Sequence, residues 1–248
     1  MFKIVMQNAK SLKSMIDAIV NLIDEGPLEI KSDGLFLRAI DPSQIAMVTL
    51  NIPKSAFVEY TVTSPTTLGL NFLNLDKILA RARPKESLTL TIEENTLIVE
   101  FSQEKSKRTF KIPLLETRDM VQKELNIDAD VEIEILASSI KESLKDAGLV
   151  SSYLALEATG ETLVFDVKGD SGKLKIENEK DGTIIRKLKT DKKSRASFSL
   201  QYLENIIKAC PDSNIINLYL KSDMPIKVEY KIENAELTYY LAPRKEDD

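Results

Sequence analysis

The chain has 248 residues, of which 43% are hydrophobic and 29% charged, and 34 basic against 39 acidic residues give a formal net charge of −5. This length suffices for one large domain or for two of about 100 to 150 residues, and the net charge excludes a bulk attraction to nucleic acid or membranes. The single cysteine, Cys210, excludes an internal disulfide framework, and the first residues lack signal-peptide features while no apolar run reaches the length of a membrane span, so we expect a soluble intracellular protein that is not secreted.

The first half of the chain alternates two amphipathic helices with short strands. Residues 11–24 carry apolar side chains at helical spacing, and Gly26 and Pro27 follow them. Residues 73–83 form the second predicted helix, which Pro84 ends because proline disfavours helical geometry in the residue before it. Period-two alternation or β-branched enrichment predicts strands at residues 2–6, 28–31, 35–40, 46–52, 57–62, 67–70, 88–92, 96–101 and 107–112.

The pattern breaks after the last of these strands and then starts again. Residues 113–130 show neither a period of two nor a clean helical face, which indicates a connector. Beyond it the same order returns, with a strand at 131–136, helices at 138–147 and 200–209, and strands to residue 241. We therefore predict a domain at 1–115, an interdomain connector at 116–130 and a second domain at 131–248.

The two helices of each half match at one offset of 128 residues. The first pair aligns Leu12, Lys13 and Ile16 with Ile140, Lys141 and Leu144, and the second aligns Leu75, Asp76, Ile78 and Leu79 with Leu203, Glu204, Ile206 and Ile207. Such self-similarity indicates one supersecondary unit used twice. The predicted fold class is α+β, with two similar domains that each pack two helices on antiparallel sheets.

The polar faces of the predicted helices gather basic residues although the chain is acidic. If the helices of each half share one side, their outward faces form a cationic surface that suits a polyanion. Acidic residues such as Asp17, Glu142 and Glu204 dilute this surface, and the alternative reading is an ordinary solvated helix face. The cations are Lys10, Lys13, Lys77, Arg81, Arg83, Lys141, Lys145 and Lys208.

Several kinds of chemistry are missing from the sequence. The chain has no histidine, which excludes imidazole-based catalysis and histidine-containing zinc sites, and it lacks the glycine-rich phosphate-binding motifs. Carboxylates alternate with apolar residues along strands, as Glu132 and Glu134 do, which is typical of solvated faces. We therefore predict no catalytic residue, no metal site and no cofactor.

Two segments resemble a known family. Residues 34–48 read Gly-Leu-Phe-Leu-Arg-Ala-Ile-Asp-Pro-Ser-Gln-Ile-Ala-Met-Val, and residues 237–244 read Leu-Thr-Tyr-Tyr-Leu-Ala-Pro-Arg. Both segments resemble proliferating cell nuclear antigen, the DNA sliding clamp of archaea and eukaryotes, and the Asp-Pro-Ser and Ala-Pro-Arg forms are those of the archaeal type. The resemblance extends over the whole chain, including the helices, the connector and the segment Asp223-Met224-Pro225.

The resemblance implies a trimeric ring with helices around a central hole and sheets outside. Duplex DNA would pass through the hole without being read, because phosphate contacts are sequence-blind and salt-sensitive. The ring would be a non-enzymatic processivity factor for replication and repair, a homotrimer by default, opened by a clamp loader. It would act in the cytoplasm or nucleoid of an archaeon, or in the nucleus of a eukaryote, and the eight helix cations above would face the DNA.

The resemblance also implies two protein-binding surfaces. DNA polymerase, flap endonuclease, DNA ligase and the clamp loader would insert peptides carrying a glutamine, an aliphatic residue and paired aromatics into a groove. Its walls would be Ile40, Ile45, Met47, Leu125, Ile127, Pro225, Tyr240, Leu241, Ala242 and Pro243, although Met47 and Tyr240 also suit ordinary core packing. The subunit interface would pair two edge strands of neighbouring chains, which carry Arg108, Phe110 and Ile112 on one and Leu174 and Ile176 on the other.

Two other functions stay open at this point. A checkpoint-type clamp of the same fold would act in the DNA damage response and would assemble only with non-identical subunits. An enzyme that uses clustered carboxylates and a divalent metal belongs to a different class, and metal-dependent turnover would distinguish it.

Overall fold

The structure, a computed structural model, describes residues 1–116, 125, 127–170 and 172–245. Its described residues form two compact units. The first unit draws on residues 1–42, 48–123 and 232–237, and the second on residues 43–47, 124–231 and 238–248. Helices and antiparallel strands build both units, so the predicted α+β class is confirmed.

The first half of the chain contains helices α1 (Ala9–Val20) and α2 (Phe72–Leu79). Its strands are β1 (Phe2–Met6), β2 (Glu25–Ile30), β3 (Gly34–Ile40), β4 (Ala46–Pro53), β5 (Glu59–Val62), β6 (Thr66–Asn71), β7 (Ser87–Glu93), β8 (Thr96–Gln103) and β9 (Ser106–Pro113). A short 3-10 helix, Lys54–Ala56, lies between β4 and β5. Neighbouring strands follow the order β5-β1-β7-β8-β9 in one sheet and β4-β3-β2-β6 in another.

The second half contains helices α3 (Ala137–Gly148) and α4 (Leu200–Ile207). Its strands are β10 (Val131–Leu136), β11 (Tyr153–Thr159), β12 (Thr162–Gly169), β13 (Gly172–Glu179), β14 (Ile185–Thr190), β15 (Ser194–Ser199), β16 (Ile215–Leu220), β17 (Ile226–Ile232) and β18 (Ala235–Leu241). Their neighbours follow the orders β14-β10-β16-β17-β18 and β13-β12-β11-β15.

The two halves share one topology. Helices α3 and α4 each begin 128 residues after α1 and α2, and each has the same length as its counterpart. The strand orders also correspond. The order β5-β1-β7-β8-β9 of the first half matches β14-β10-β16-β17-β18 of the second. The order β4-β3-β2-β6 matches β13-β12-β11-β15. The predicted duplication of one supersecondary unit is therefore confirmed.

A shared apolar core positions the helices of the first unit. Leu12 and Ile16 of α1 and Leu75 of α2 surround one small cavity, of about 10 Å³, together with Phe2 of β1 and Leu68 of β6. All five side chains are buried. Burial of one large apolar side chain stabilises the fold by about 1.5–3 kcal/mol, so this core holds the apolar stripes inward and leaves the polar faces to solvent.

Capping hydrogen bonds set the helix ends differently from the predicted periodicity. The side chain of Asn8 accepts a hydrogen bond from the N–H of Lys10 at 3.1 Å, so α1 begins at Ala9 rather than residue 11. It ends at Val20, and α2 ends at Leu79, each four residues before the predicted end. The carbonyl oxygen of Asp24, the predicted last residue of α1, accepts a hydrogen bond from the N–H of Phe72 at 2.8 Å, a long-range contact that no periodicity indicates.

Gly169 of β12 permits a close approach of two backbone segments. A Cβ atom at this position would lie 1.9 Å from the carbonyl oxygen of Val150. Gly172 of β13 pairs with Gly169 across the strands, and no heavy atom lies within 4 Å of its Cβ position. Alanine at Gly169 would therefore collide with the backbone, whereas alanine at Gly172 would not, so the two positions can be compared as test and control.

We expect Gly169→Ala to lower the free energy of unfolding by about 1–3 kcal/mol, because the new methyl group must displace a backbone carbonyl. Gly172→Ala should change it by less than about 0.5 kcal/mol. Chemical denaturation followed by circular dichroism measures both values. Equal stability of the two variants would contradict the close approach.

Candidate functional site

The helix faces of the first unit carry cations in two different states. Lys10 of α1 and Lys77 of α2 are exposed and have no carboxylate partner among the described residues. Lys13 instead pairs with Asp17 of the same helix and with Asp76 of α2, whose Oδ1 lies 3.1 Å from Lys13 Nζ. Lys13 therefore joins the two helices. Because its charge is paired with two carboxylates, it contributes less positive potential than an unpaired lysine would.

The pKa of Lys13 reflects this arrangement. Partial burial alone would lower the pKa, but the hydrogen bonds that the ammonium donates to Asp17 and Asp76 raise it above the ordinary lysine value. Asp17 is visible in the sequence as an acidic residue four positions after Lys13. Asp76 was missed as its partner, although it occupies the repeat position of Glu204, which the sequence does mark as a residue that dilutes the cationic face.

Arg81 and Arg83 follow α2 and lie beside strand β9. Arg108 of β9 donates from Nη2 to the carbonyl oxygen of Arg81 at 3.0 Å and to Oε2 of Glu86 at 2.5 Å. The same carboxylate oxygen accepts the N–H of Arg83 at 2.7 Å. Burial alone would raise the pKa of Glu86, but these bonds from Arg83 and Arg108 hold it below the ordinary value. The two arginines thus lie where the helix face meets the edge strand.

The helix pair of the second unit forms a shallow groove of about 320 Å³ that Lys141, Lys145 and Lys208 line. Lys141 donates to the carbonyl oxygen of Cys210 at 2.6 Å and to Asp212 at 2.7 Å. Lys145 pairs with Glu142 at 2.6 Å. Lys208 is exposed and has no carboxylate partner among the described residues.

Cys210 lies just after the end of α4 and is buried. Burial raises the pKa of its thiol to about 12. Such a thiol stays protonated at neutral pH and is a poor nucleophile. Its part in the site is structural, because its carbonyl oxygen anchors Lys141.

The strands predicted to form the subunit interface both lie at the edge of a sheet. Strand β9 ends the order β5-β1-β7-β8-β9, and β13 ends the order β13-β12-β11-β15. Their side chains alternate between exposed and less exposed positions in the same pattern. Arg108 and Phe110 are half-buried and Ile112 is buried on β9, while Leu174 and Ile176 are half-buried on β13.

Phe110 and Arg108 both pack on Phe101 of the neighbouring strand β8. The rings of Phe110 and Phe101 meet edge to face with centroids 5.8 Å apart, and the guanidinium carbon of Arg108 lies 4.9 Å from the Phe101 ring centroid. Packing on Phe101 therefore holds the side chains of Arg108 and Phe110 in defined positions on the edge strand.

Nine of the ten residues predicted for the partner groove belong to the second unit, and Ile40 lies at the end of β3 in the first. Ile40, Ile45 and Leu125 are the exposed apolar members, with 39%, 38% and 44% of their surfaces accessible. Ile127, Pro225, Ala242 and Pro243 are half-buried, whereas Met47, Tyr240 and Leu241 are buried. Met47, Tyr240 and Leu241 are therefore closed to solvent in this chain.

A backbone hydrogen bond joins two of the segments predicted to form the groove. The N–H of Ala242 donates to the carbonyl oxygen of Ile45 at 2.9 Å. Gln44, just before Ile45, adopts a left-handed conformation with φ of 59°. Met224, which lies beside Pro225, is 44% exposed.

The described residues contain no group of three or more histidine, cysteine, aspartate or glutamate side chains arranged to hold a metal ion. Within the same part of the chain, no helix is both long enough and apolar enough to cross a membrane.

Two family models match the chain. The N-terminal domain of proliferating cell nuclear antigen matches residues 1–132, and the C-terminal domain of the same protein matches residues 123–245. Curated relatives include the DNA polymerase sliding clamp of Thermococcus gammatolerans, which is 31% identical over 248 residues and 99% of each chain. The DNA polymerase sliding clamp of Pyrococcus furiosus is 29% identical over 247 residues, again 99% of each chain.

Solved structures show the same similarity. A crystal structure of PCNA from Thermococcus kodakaraensis superposes with a TM-score of 0.92 at 27% identity and covers 98% of this chain and 100% of that chain. The PCNA of A. fulgidus, solved with the C-terminal region of FEN-1 bound, gives a TM-score of 0.90 at 24% identity over 100% of both chains, which establishes the shared fold.

Proposed function

The chain belongs to the proliferating cell nuclear antigen family, and on that premise we propose that it acts as a DNA sliding clamp, a ring that keeps DNA polymerase on duplex DNA. The observation that carries this proposal is the match of both family domains to consecutive halves of the chain. Relatives named as DNA polymerase sliding clamps, similar over 99% of the chain, support it. On this reading the protein is not an enzyme, and it works where the chromosome is replicated.

We infer that the ring closes by pairing β9 of one chain with β13 of the next. Each is an edge strand, and an edge strand that stays open exposes N–H and C=O groups to unwanted association. Head-to-tail pairing of two different edges generates a closed ring when the rotation between subunits permits it. Phe110 and Ile112 from one edge and Leu174 and Ile176 from the other would supply the apolar part of the contact, with Arg108 beside them.

We expect the unmodified protein to have a mass of about three times 27.9 kDa by light scattering, and Ile176→Glu to reduce it to that of a single chain. A carboxylate at the centre of the paired edge would be buried without a partner. Ile184→Glu introduces the same change at an exposed isoleucine outside the proposed interface and should leave the trimer intact. A monomeric wild type, or a trimeric Ile176→Glu protein, would contradict the interface.

We propose that the cationic helix faces contact the phosphates of the enclosed duplex. Lys10, Lys77 and Lys208 support this most directly, because they are exposed and lack a carboxylate partner among the described residues. Charges further apart than about 8 Å are screened at physiological salt, so the overall acidity of the chain does not cancel them. Lys13, Lys141 and Lys145 are partly neutralised and would contribute less. Arg81 and Arg83 would act at the margin of the face, beside β9.

Replacement of Lys10 and Lys77 together by alanine should reduce clamp-stimulated primer extension several-fold and leave the trimer mass unchanged. The physical reason is the loss of two phosphate contacts per subunit, which weakens binding in a salt-dependent way. The assay uses a DNA polymerase and a clamp loader from one source, at two salt concentrations.

The matched control replaces Lys54 and Lys105, two exposed lysines of the first half outside helices α1 and α2. This variant has the same net charge as the Lys10 and Lys77 variant, and it should retain full stimulation. Equal losses in both variants would count against a DNA-facing role for the helix cations.

We propose that partner peptides bind in the groove whose open wall contains Ile45 and Leu125. A peptide that buries three large side chains gains about 1.5–3 kcal/mol for each, and ordering of the peptide costs about 2–5 kcal/mol. The difference is at most about 7 kcal/mol, which corresponds to an affinity no tighter than about 10 μM and allows partners to exchange. The half-buried Pro225, Ala242 and Pro243 would complete the wall, and buried Met47, Tyr240 and Leu241 would support it from below.

We expect Ile45→Ser combined with Leu125→Ser to weaken binding of a peptide with a glutamine, an aliphatic residue and paired aromatics at least ten-fold, measured by isothermal titration calorimetry. Both positions are exposed, so the fold should survive the loss of apolar surface. Val58→Ser, at an apolar residue that is 63% exposed elsewhere, is the control and should bind normally. Undiminished binding by the double variant would refute the groove.

A further inference from the structure

A second cleft lies in the second unit, on the face of the sheet β13-β12-β11-β15. It has a volume of about 300 Å³. Its floor is formed where Ala155 of β11 pairs with Asp166 of β12 on one side and with Ser197 of β15 on the other. Because the side chains of Ala155 and Ser197 are small, they leave a depression that the larger neighbouring side chains surround.

The walls of this cleft carry more positive than negative charge. Among the described residues that line it are three cations, Lys168, Arg195 and Arg244, and one carboxylate, Asp166. Arg195 already has acidic partners, with its guanidinium nitrogens 3.0 Å from Asp166 and 3.3 Å from Glu157. Lys168 approaches a carboxylate only at 4.0 Å and is exposed. Lys168 and Arg244 therefore provide charge that these acidic groups do not neutralise at close range.

Arg244 is held at the cleft in a defined orientation. Its guanidinium carbon lies 3.9 Å from the ring centroid of Tyr153, a distance at which a cation is attracted to an aromatic face. Its backbone N–H donates to the carbonyl oxygen of Ser197 at 2.7 Å, which fixes the chain to edge strand β15. A guanidinium that stacks on an aromatic ring can still donate its N–H groups, which lie in the guanidinium plane, to an anion. Because the Arg244 side chain is already ordered, binding of a ligand costs little further side-chain entropy.

The cleft is close to the proposed partner groove along the chain. Arg244 lies two residues after Ala242, so at most about 7 Å of backbone separates the cleft from the groove segment that bonds to Ile45. A peptide anchored in the groove can therefore extend flanking residues to the cleft. The anionic groups of such a peptide are the carboxylates of aspartate and glutamate.

We propose that this cleft binds an acidic side chain flanking the hydrophobic motif of a partner peptide, with Lys168 and Arg244 as the groups that recognise the carboxylate. The proposal rests on the proposed function, because the groove must hold the rest of the peptide. It adds a charge-dependent selectivity among partners that share the same aromatic motif: partners with acidic flanks bind more tightly than those with neutral flanks.

The test compares three synthetic peptides by isothermal titration calorimetry with the full-length protein. One carries the motif with neutral flanks, one has three glutamates before the motif, and one has three glutamates after it. We expect one of the two acidic peptides to bind about five-fold more tightly than the neutral one at low salt, with a smaller gain at high salt. No gain for either acidic peptide would overturn the proposal.

The double variant Lys168→Gln with Arg244→Gln tests the assignment of the residues. It should abolish the gain of the acidic peptide and leave the affinity for the neutral peptide unchanged, since the backbone bond of Arg244 to Ser197 does not need its side chain. The control Lys54→Gln with Lys105→Gln lowers the net charge equally and should retain the gain. A gain that persists in the cleft variant, or that both variants lose equally, would overturn the proposal.

Failure of the cleft and failure of the groove give different results. If the neutral peptide does not bind the wild type, the proposed groove is wrong. If the neutral peptide binds normally and the acidic flanks change nothing, the groove stands and the cleft proposal alone is wrong.

Discussion

Burial of the apolar helix stripes in the core is the interaction on which the remaining features of this protein depend. In the first unit, Leu12, Ile16 and Leu75 share one core with strands of both sheets. Because these side chains are buried in the core, the polar faces of α1 and α2 must point away from it. The positions of the helix cations, and of the carboxylates among them, follow from that packing rather than from any attraction between the charges themselves.

The cations that result are not equivalent, and the difference arises from neighbouring segments. Lys13 is shared between two carboxylates, one on its own helix and one on α2, while Lys77 on the same face has no such partner among the described residues. A surface that mixes neutralised and unneutralised cations suits contacts that are weak, numerous and easily exchanged. Such contacts agree with a ring that slides, because topology rather than affinity would retain it on DNA.

The two copies of the fold have kept their topology and diverged in their interiors. In the first unit the rings of Phe101 and Phe110 pack edge to face. The second unit has Tyr230 and Tyr239 on the corresponding strands β17 and β18, and the hydroxyl of Tyr230 donates to the carbonyl oxygen of Ile206 at 2.7 Å. The hydroxyls of Tyr230 and Tyr239 share a hydrogen bond at 3.0 Å, and burial raises the pKa of both, so both stay neutral. One topology thus tolerates either an apolar or a hydrogen-bonded aromatic pair.

By itself the sequence determined the duplication, the two helices of each half and the α+β class, because hydrophobic periodicity and a constant offset of 128 residues are local and repetitive signals. It also showed the helix cations by residue type, whereas the groove residues were predicted only from the resemblance to the family. Only the tertiary structure decided that Lys13 is neutralised by Asp76, that Met47 and Leu241 are buried, and that Arg244 stacks on Tyr153. These properties depend on contacts between residues far apart in the chain, and no periodicity records which distant side chain will arrive beside a given charge.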